Sequence, residues 1–199
     1  EEQILYARAA YNKFKQTYDF EEAKTREKLE DQINELFKQI YAGGMTINID
    51  EKYLKVVDVA IETAKLKQTH VIALELNNGK IVTGKQTDLL SPAASVVINA
   101  IKELSKVPDD IDLLSRAILK PILELKKDDN ILSLTEVLIA LSICGVTNPV
   151  VANAIKKLKD LENCEAHASY MVRNGDFKAL KNLKINLTCE PEFYRSEIM

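Results

Sequence analysis

His70-Val71-Ile72-Ala73-Leu74-Glu75-Leu76-Asn77-Asn78-Gly79-Lys80-Ile81-Val82-Thr83-Gly84 decides the fold class of this chain. Its first seven residues are largely β-branched or apolar. Asn78-Gly79 follows, a pair that tolerates the positive φ of a tight primed turn. Lys80 to Gly84 then returns as a second strand, so an antiparallel hairpin is expected here. Before this segment the chain reads as helix. After it, helices alternate with short strands.

Upstream, Ile4, Leu5, Ala9 and Phe14 fall near a 3.6 period, as do Leu29, Ile33, Leu36, Phe37 and Ile40. Gly43-Gly44 closes the second of these helices, as C-terminal glycines do. A third helix is expected from Asp50, a suitable N-cap, to Lys67, with Leu54, Val57, Ala60, Ile61 and Ala64 inward. Downstream, Ser91-Pro92 starts a helix that runs to Ser105, with Ser as cap and Pro at the first helical position. A helix over 115–127 contains Pro121, a kink signal. Ser133-Leu134-Thr135-Glu136 matches a capping box ahead of an apolar run to Cys144. Asn148-Pro149 opens a helix to about Leu161. A strand over 164–172, a short helix capped by Asp176 and a last strand over 185–189 complete the pattern. The expected fold class is α/β. A helical subdomain (1–67) precedes a three-layer α-β-α sandwich (70–191), and 192–199 form a loose tail.

Composition bounds the function. A chain of 199 residues that is 46% hydrophobic can bury a sizeable core. Its formal net charge of −3 gives no electrostatic case for nucleic acid. No apolar run reaches the roughly 18 residues of a spanning helix, so no membrane partner is expected. Glu1-Glu2-Gln3-Ile4 has neither the basic start nor the apolar run of a signal peptide. Cys144, Cys164 and Cys189 are odd in number and irregularly spaced, which argues against a disulfide framework and for a cytoplasmic location. The lack of an initiator Met and a start inside a helix point to a segment of a longer protein.

Candidate chemistry lies first in Asn163-Cys164-Glu165-Ala166-His167-Ala168-Ser169-Tyr170-Met171. In a strand, side chains alternate. Glu165, His167, Ser169 and Met171 would share one face, and Cys164, Ala166, Ala168 and Tyr170 the other. A C-x-x-H metal pair is therefore disfavoured, and Glu165 with His167 is the candidate catalytic pair. A carboxylate beside an imidazole favours the imidazolium and can tune a proton carrier. A structural pair at a strand end is the alternative. Cys189-Glu190 could approach from a neighbouring strand, so Glu165, His167, Cys189 and Glu190 form a weaker alternative as a metal set. Cys144, on an apolar helix face, reads as core, and His70, at a strand start, reads as structural.

A second candidate is Thr83-Gly84-Lys85-Gln86-Thr87-Asp88, which leads into the Ser91-Pro92 helix start. A glycine for close backbone approach, a lysine and a hydroxyl near a helix N-terminus can hold an anion. Thr83, Gly84, Lys85, Thr87 and Asp88 are thus candidate ligand-binding residues, with a polar turn leaving a hairpin as the alternative. Asn148, in Thr147-Asn148-Pro149, is a further ligand candidate, although helix initiation is the simpler reading of it. The spacing is not that of a P-loop, and G-x-S-x-G, H-E-x-x-H and G-x-G-x-x-G are all absent.

Leu74-Glu75-Leu76, Asn78-Gly79-Lys80-Ile81-Val82-Thr83-Gly84-Lys85 and Thr87-Asp88-Leu89-Leu90 together resemble the C-terminal half of the bacterial domain-of-unknown-function family 1846. So do Val137-Leu138-Ile139-Ala140-Leu141-Ser142-Ile143 with Thr147-Asn148-Pro149, Cys164-Glu165-Ala166-His167 and Asn186-Leu187-Thr188-Cys189-Glu190-Pro191. The resemblance runs in order through most of 70–191. It implies a longer protein whose N-terminal portion carries a Gly-rich, phosphate-binding type of segment. Some members are labelled ATP-dependent proteases, but this half holds no protease motif. It also implies a fold similar to the cytidine-deaminase-like three-layer sandwich. Deaminase chemistry does not follow, because H-x-E and P-C-x-x-C are both missing.

The resulting expectation is one wall of a site for a polar or anionic, nucleotide-like small molecule. Lys85 and Thr87 would hold the anion, and Glu165 with His167 would orient a polar group or move a proton. The chain would work with the missing N-terminal half of the same protein and as a homo-oligomer. The alternative is a structural module for assembly. The sequence leaves the cofactor unknown, and no metal is expected from this segment.

Overall fold

The computed structural model describes residues 51–126 and 130–190, with side chains from residue 55 onward. Its elements are α1 (Glu51–Lys67), β1 (Val71–Glu75), β2 (Ile81–Lys85), α2 (Pro92–Ser105), α3 (Arg116–Glu124), α4 (Leu134–Gly145) and α5 (Pro149–Ile155). A 3₁₀ turn (Lys156–Leu161), β3 (Glu165–Ala168), α6 (Asn174–Asn182) and β4 (Asn186–Cys189) follow. The fold is α/β, with a four-stranded mixed sheet in the order β2-β1-β3-β4. β1 is antiparallel to both β2 and β3, whereas β3 and β4 run parallel.

The hairpin forms where Asn-Gly marks it, but with a longer loop than a primed two-residue turn. Leu76 N–H donates to Lys80 O at 2.9 Å, and Gly79 N–H donates to Leu76 O at 2.8 Å, so three residues span the turn. Gly79 has φ +82°, while Asn78 is not among the positive-φ residues. A type I′ turn needs positive φ at both central positions, and here the Asn78 side chain instead accepts from Lys80 N–H at 3.0 Å.

The sheet separates two environments by simple alternation. Ile72 and Leu74 of β1, Ala166 and Ala168 of β3, and Leu187 and Cys189 of β4 point into the main core, which α2 and α4 fill with Val97, Ile101, Val137 and Leu141. Ala73 points the other way, onto Val56 and Ala60 of α1, with Val59 and Ile81 alongside. α1, which the sequence groups with the helical first third, thus lies on the sheet. The expected two helices over 2–41 and the tail over 192–199 fall outside the described residues.

Caps place the helices. Ser91 Oγ accepts from Ala94 N–H at 3.2 Å at the start of α2, and Glu136 reaches back to Ser133 N–H at 2.7 Å at the start of α4. Asn148 Oδ1 accepts from Val150 N–H at 3.0 Å and opens α5, which gives way to the 3₁₀ turn before Leu161. The short helix expected to be capped by Asp176 begins earlier. Arg173 is its N-cap, and Asp176 sits in its first turn with its carboxylate turned inward.

Candidate functional site

Thr83, Lys85 and Thr87 line a cleft of about 400 Å³. Its walls are the end of β2, the loop after it, the C-terminal half of α1 (Thr63, Lys67), one face of α2 (Ser95, Ile98, Asn99, Lys102) and Asp112 to Leu114. Alternation aims Thr83 and Lys85 to the α1 side of the sheet, and α1 ends beside them because Lys67 leads straight into β1. Leu90, Ile98, Leu113 and Leu114 give the cleft an apolar lining.

Three ammonium groups, Lys67, Lys85 and Lys102, face this cleft against one carboxylate, Asp112. Among the described residues no ion pair engages any of the three lysines. Lys102 is only 8% exposed, and its Nζ donates to Asp109 O at 3.0 Å, so its charge is held in place but not neutralised. The net charge of −3 conceals this local positive patch. Asn99 Nδ2 donates to Thr83 O at 2.8 Å and fixes the wall between α2 and β2.

Ser95 adds the most unusual group. It is 7% exposed, and its Oγ has no hydrogen-bond partner. A serine inside a helix ordinarily bonds back to the carbonyl four residues earlier. Ser91 O accepts the Ser95 N–H at 3.0 Å, but no bond to the Ser95 hydroxyl is made. Sequence reasoning missed Ser95, Lys67 and Lys102. A hydroxyl in the otherwise apolar Pro92-Ala93-Ala94-Ser95-Val96-Val97 run was the one local signal.

The other ligand candidates have structural duties. A Cβ on Gly84 would lie 2.0 Å from Val96 N and 2.7 Å from Pro92 O, so its close approach is to the protein's own α2 and not to an anion. The Thr87 hydroxyl accepts from Leu89 and Leu90 N–H at 3.2 and 2.9 Å, closing a local turn. Asp88 pairs with Arg116, whose hydrogen bond holds its exposed carboxyl below the usual range. Asn148 is the cap of α5.

Glu165 and His167 share the α1-facing side of the sheet and are not among the residues lining the cleft. Two strand positions separate β3 from β2, a lateral distance of about 9–10 Å. His167 is 3% exposed. Its Nδ1 lies 2.8 Å from Thr188 Oγ1, and its Nε2 lies 3.4 Å from Glu190 Oε1 without hydrogen-bond alignment. Glu165 Oε1 accepts from Asn186 Nδ2 at 2.8 Å. Directly across from Glu165 stands Glu75, a buried carboxylate that the sequence reading passed over, although a charge in an all-buried strand marks it.

The parallel register pairs His167 with Thr188 and Ala168 with Cys189. Cys189 therefore points into the core with Cys164, away from His167, while Glu190 returns to the histidine's side. The set Glu165, His167, Cys189 and Glu190 is split by the sheet. Among the described residues no three His, Cys, Asp or Glu side chains gather as metal ligands. His70 packs its ring against Tyr170, with centroids 4.6 Å apart.

Residues 52–199 match a family model described as domain of unknown function DUF1846, C-terminal. The chain belongs to the DUF1846 family. Relatives similar to this DUF1846 domain are named UPF0371 proteins. One from Clostridium tetani is 39% identical over 160 residues, covering 74% of this chain and 32% of that protein. One from Clostridioides difficile is 46% identical over 128 residues, covering 62% of this chain and 26% of that protein. One from Clostridium botulinum strain Eklund 17B is 44% identical over 160 residues, with coverages of 74% and 32%. The chain thus spans about a third or less of the length of the relatives it matches. Among the described residues no helix is long and apolar enough to cross a membrane.

Proposed function

We propose that this DUF1846 C-terminal domain supplies one wall of a site for a polar, anionic small molecule of nucleotide-like size. The observation that supports it is the meeting of Lys67, Lys85 and Lys102 with Thr83 in one cleft of about 400 Å³, within the range of small-molecule sites. Two of the ammonium groups sit at element ends, where they can turn onto a ligand. Glu165 and His167 serve this reading from a distance, by fixing β3 and β4 beneath α1, and do not touch the ligand. The remaining wall comes from the larger part of the protein outside this chain, working in the cytoplasm. The cytidine-deaminase-like arrangement belongs to the same proposal, without deaminase chemistry. Calorimetric titration of the full-length protein with AMP tests the reading. Lys85→Gln should weaken binding about tenfold or more, the worth of a charge-assisted hydrogen bond. Equal affinity in wild type and in both Lys85→Gln and Lys67→Gln would sink the proposal.

A second reading, assembly on the rest of the protein or on another protomer, draws on one observation. Ile139 and Ile143 of α4 and Val146 just after it follow one another at helical spacing on the outer surface, and Ile143 and Val146 are 67% and 84% exposed. Light scattering on an Ile143→Asp variant discriminates. A fall in oligomeric mass supports assembly through this face, and an unchanged mass argues against it.

A further inference from the structure

We infer that the cleft is built for a phosphoryl group carried on an apolar body, with Ser95 as the buried residue that selects it. The inference rests on the anion-site reading above and deepens it by naming the ligand class. Three observations carry it. Ser95 is more than nine-tenths buried, it lines the cleft, and its hydroxyl has no partner within the protein. A buried hydroxyl without a partner is costly, so a ligand acceptor at that point removes a penalty as well as adding a bond. Ser95 lies in the first turn of α2, a 14-residue helix, where the peptide dipoles favour negative charge. Lys67 and Lys85 approach from α1 and β2, different walls of the same cleft, and Lys102 adds a buried positive charge from α2.

Donors arriving from three walls suit a tetrahedral dianion, whose oxygens point in divergent directions. A planar carboxylate holds its lone pairs in one plane and meets donors from three walls less well. Beside these donors, Leu90, Ile98, Leu113 and Leu114 offer an apolar surface to the rest of the ligand. A free inorganic phosphate would leave that apolar surface uncovered, so an organic phosphomonoester is the better fit.

The test uses the full-length protein and three probes: phenyl phosphate, inorganic phosphate and benzoate. Binding is read by calorimetry at low ionic strength, beside the variants Ser95→Ala and Lys85→Gln. Phenyl phosphate should bind at least tenfold tighter than benzoate and tighter than inorganic phosphate. Ser95→Ala should weaken phenyl phosphate about tenfold or more, leave benzoate nearly unchanged, and leave the unfolding midpoint of the unliganded protein unchanged or raised. That last readout separates a ligand-binding role from a structural one, because the hydroxyl bonds nothing in the fold. If phenyl phosphate and benzoate bind alike and Ser95→Ala affects neither, the phosphoryl inference is overturned, while a loss in Lys85→Gln keeps the anion site. If no probe binds and Lys85→Gln changes nothing, both fall.

Discussion

Asp176 is a buried carboxylate that ties three helix starts together. Leu134 N–H, the first of α4, donates to its Oδ1 at 2.7 Å, and the Ser91 hydroxyl, the cap of α2, also reaches it. Burial pushes its pKa up, against these hydrogen bonds and nearby Arg173. A raised folded value means that its contribution to stability is complete below the unfolded value near 3.8 and is lost as pH rises through the folded one. Asp176→Asn cannot ionise, so the stability of the variant relative to wild type should rise over that window in urea unfolding. A flat difference would contradict the assignment. Asp176→Ala strips Leu134 N–H of its partner and should cost about 1–3 kcal/mol. Glu136 has the opposite sign. Burial alone would raise it, but Ser133 N–H, the Ser133 hydroxyl and Lys126 outweigh burial and hold its carboxyl low. Removing it with Glu136→Ala should cost about 1 kcal/mol at neutral pH, with the cost fading as pH falls through the depressed value.

At the scale of elements, much was legible because local chemistry dictates it. Ser91-Pro92, Ser133 to Glu136 and Asn148-Pro149 mark helix starts through their own backbone bonds, and α2, α4 and α5 begin there. Strand alternation separates Cys164 from His167, and the structure places Cys164 in the core. The fate of Cys189 was not legible, since parity within β4 says nothing until the β3–β4 register is known. Asp176 has the sequence signature of a cap, but its partner, Leu134, lies 42 residues away, beyond the reach of any local pattern. Gly84 is the tightest contact between elements: any side chain there meets the backbone of α2, which cannot swing aside as a flexible side chain would. Gly84→Ala should therefore cost about 1–3 kcal/mol or more in chemical denaturation by forcing β2 and α2 apart, and a cost near zero would show that α2 is free to shift.

On the scale of the whole molecule, the sequence carried the α/β class and half of the cleft. Thr83, Lys85 and Thr87 are neighbours in the chain and announce themselves as a polar segment after a hairpin. Lys67, Ser95 and Lys102 join them only because α1 and α2 lie against opposite faces of the sheet and reach its β2 edge together. No local pattern encodes that meeting, and a net charge of −3 masks it. Glu165 and His167 stand out in the sequence as a histidine and a carboxylate on one strand face, and in the structure they lie beneath α1 and take partners from β4. A ligand of this domain should therefore meet α1, β2 and α2 at the Lys85 cleft. Amide chemical-shift mapping of the full-length protein during titration with phenyl phosphate locates that contact. The largest shifts should fall at Thr63 to Lys67, Thr83 to Thr87, Ser95 to Lys102 and Asp112 to Leu114. Shifts centred on Glu165, His167 and Thr188, with the cleft unmoved, would contradict it.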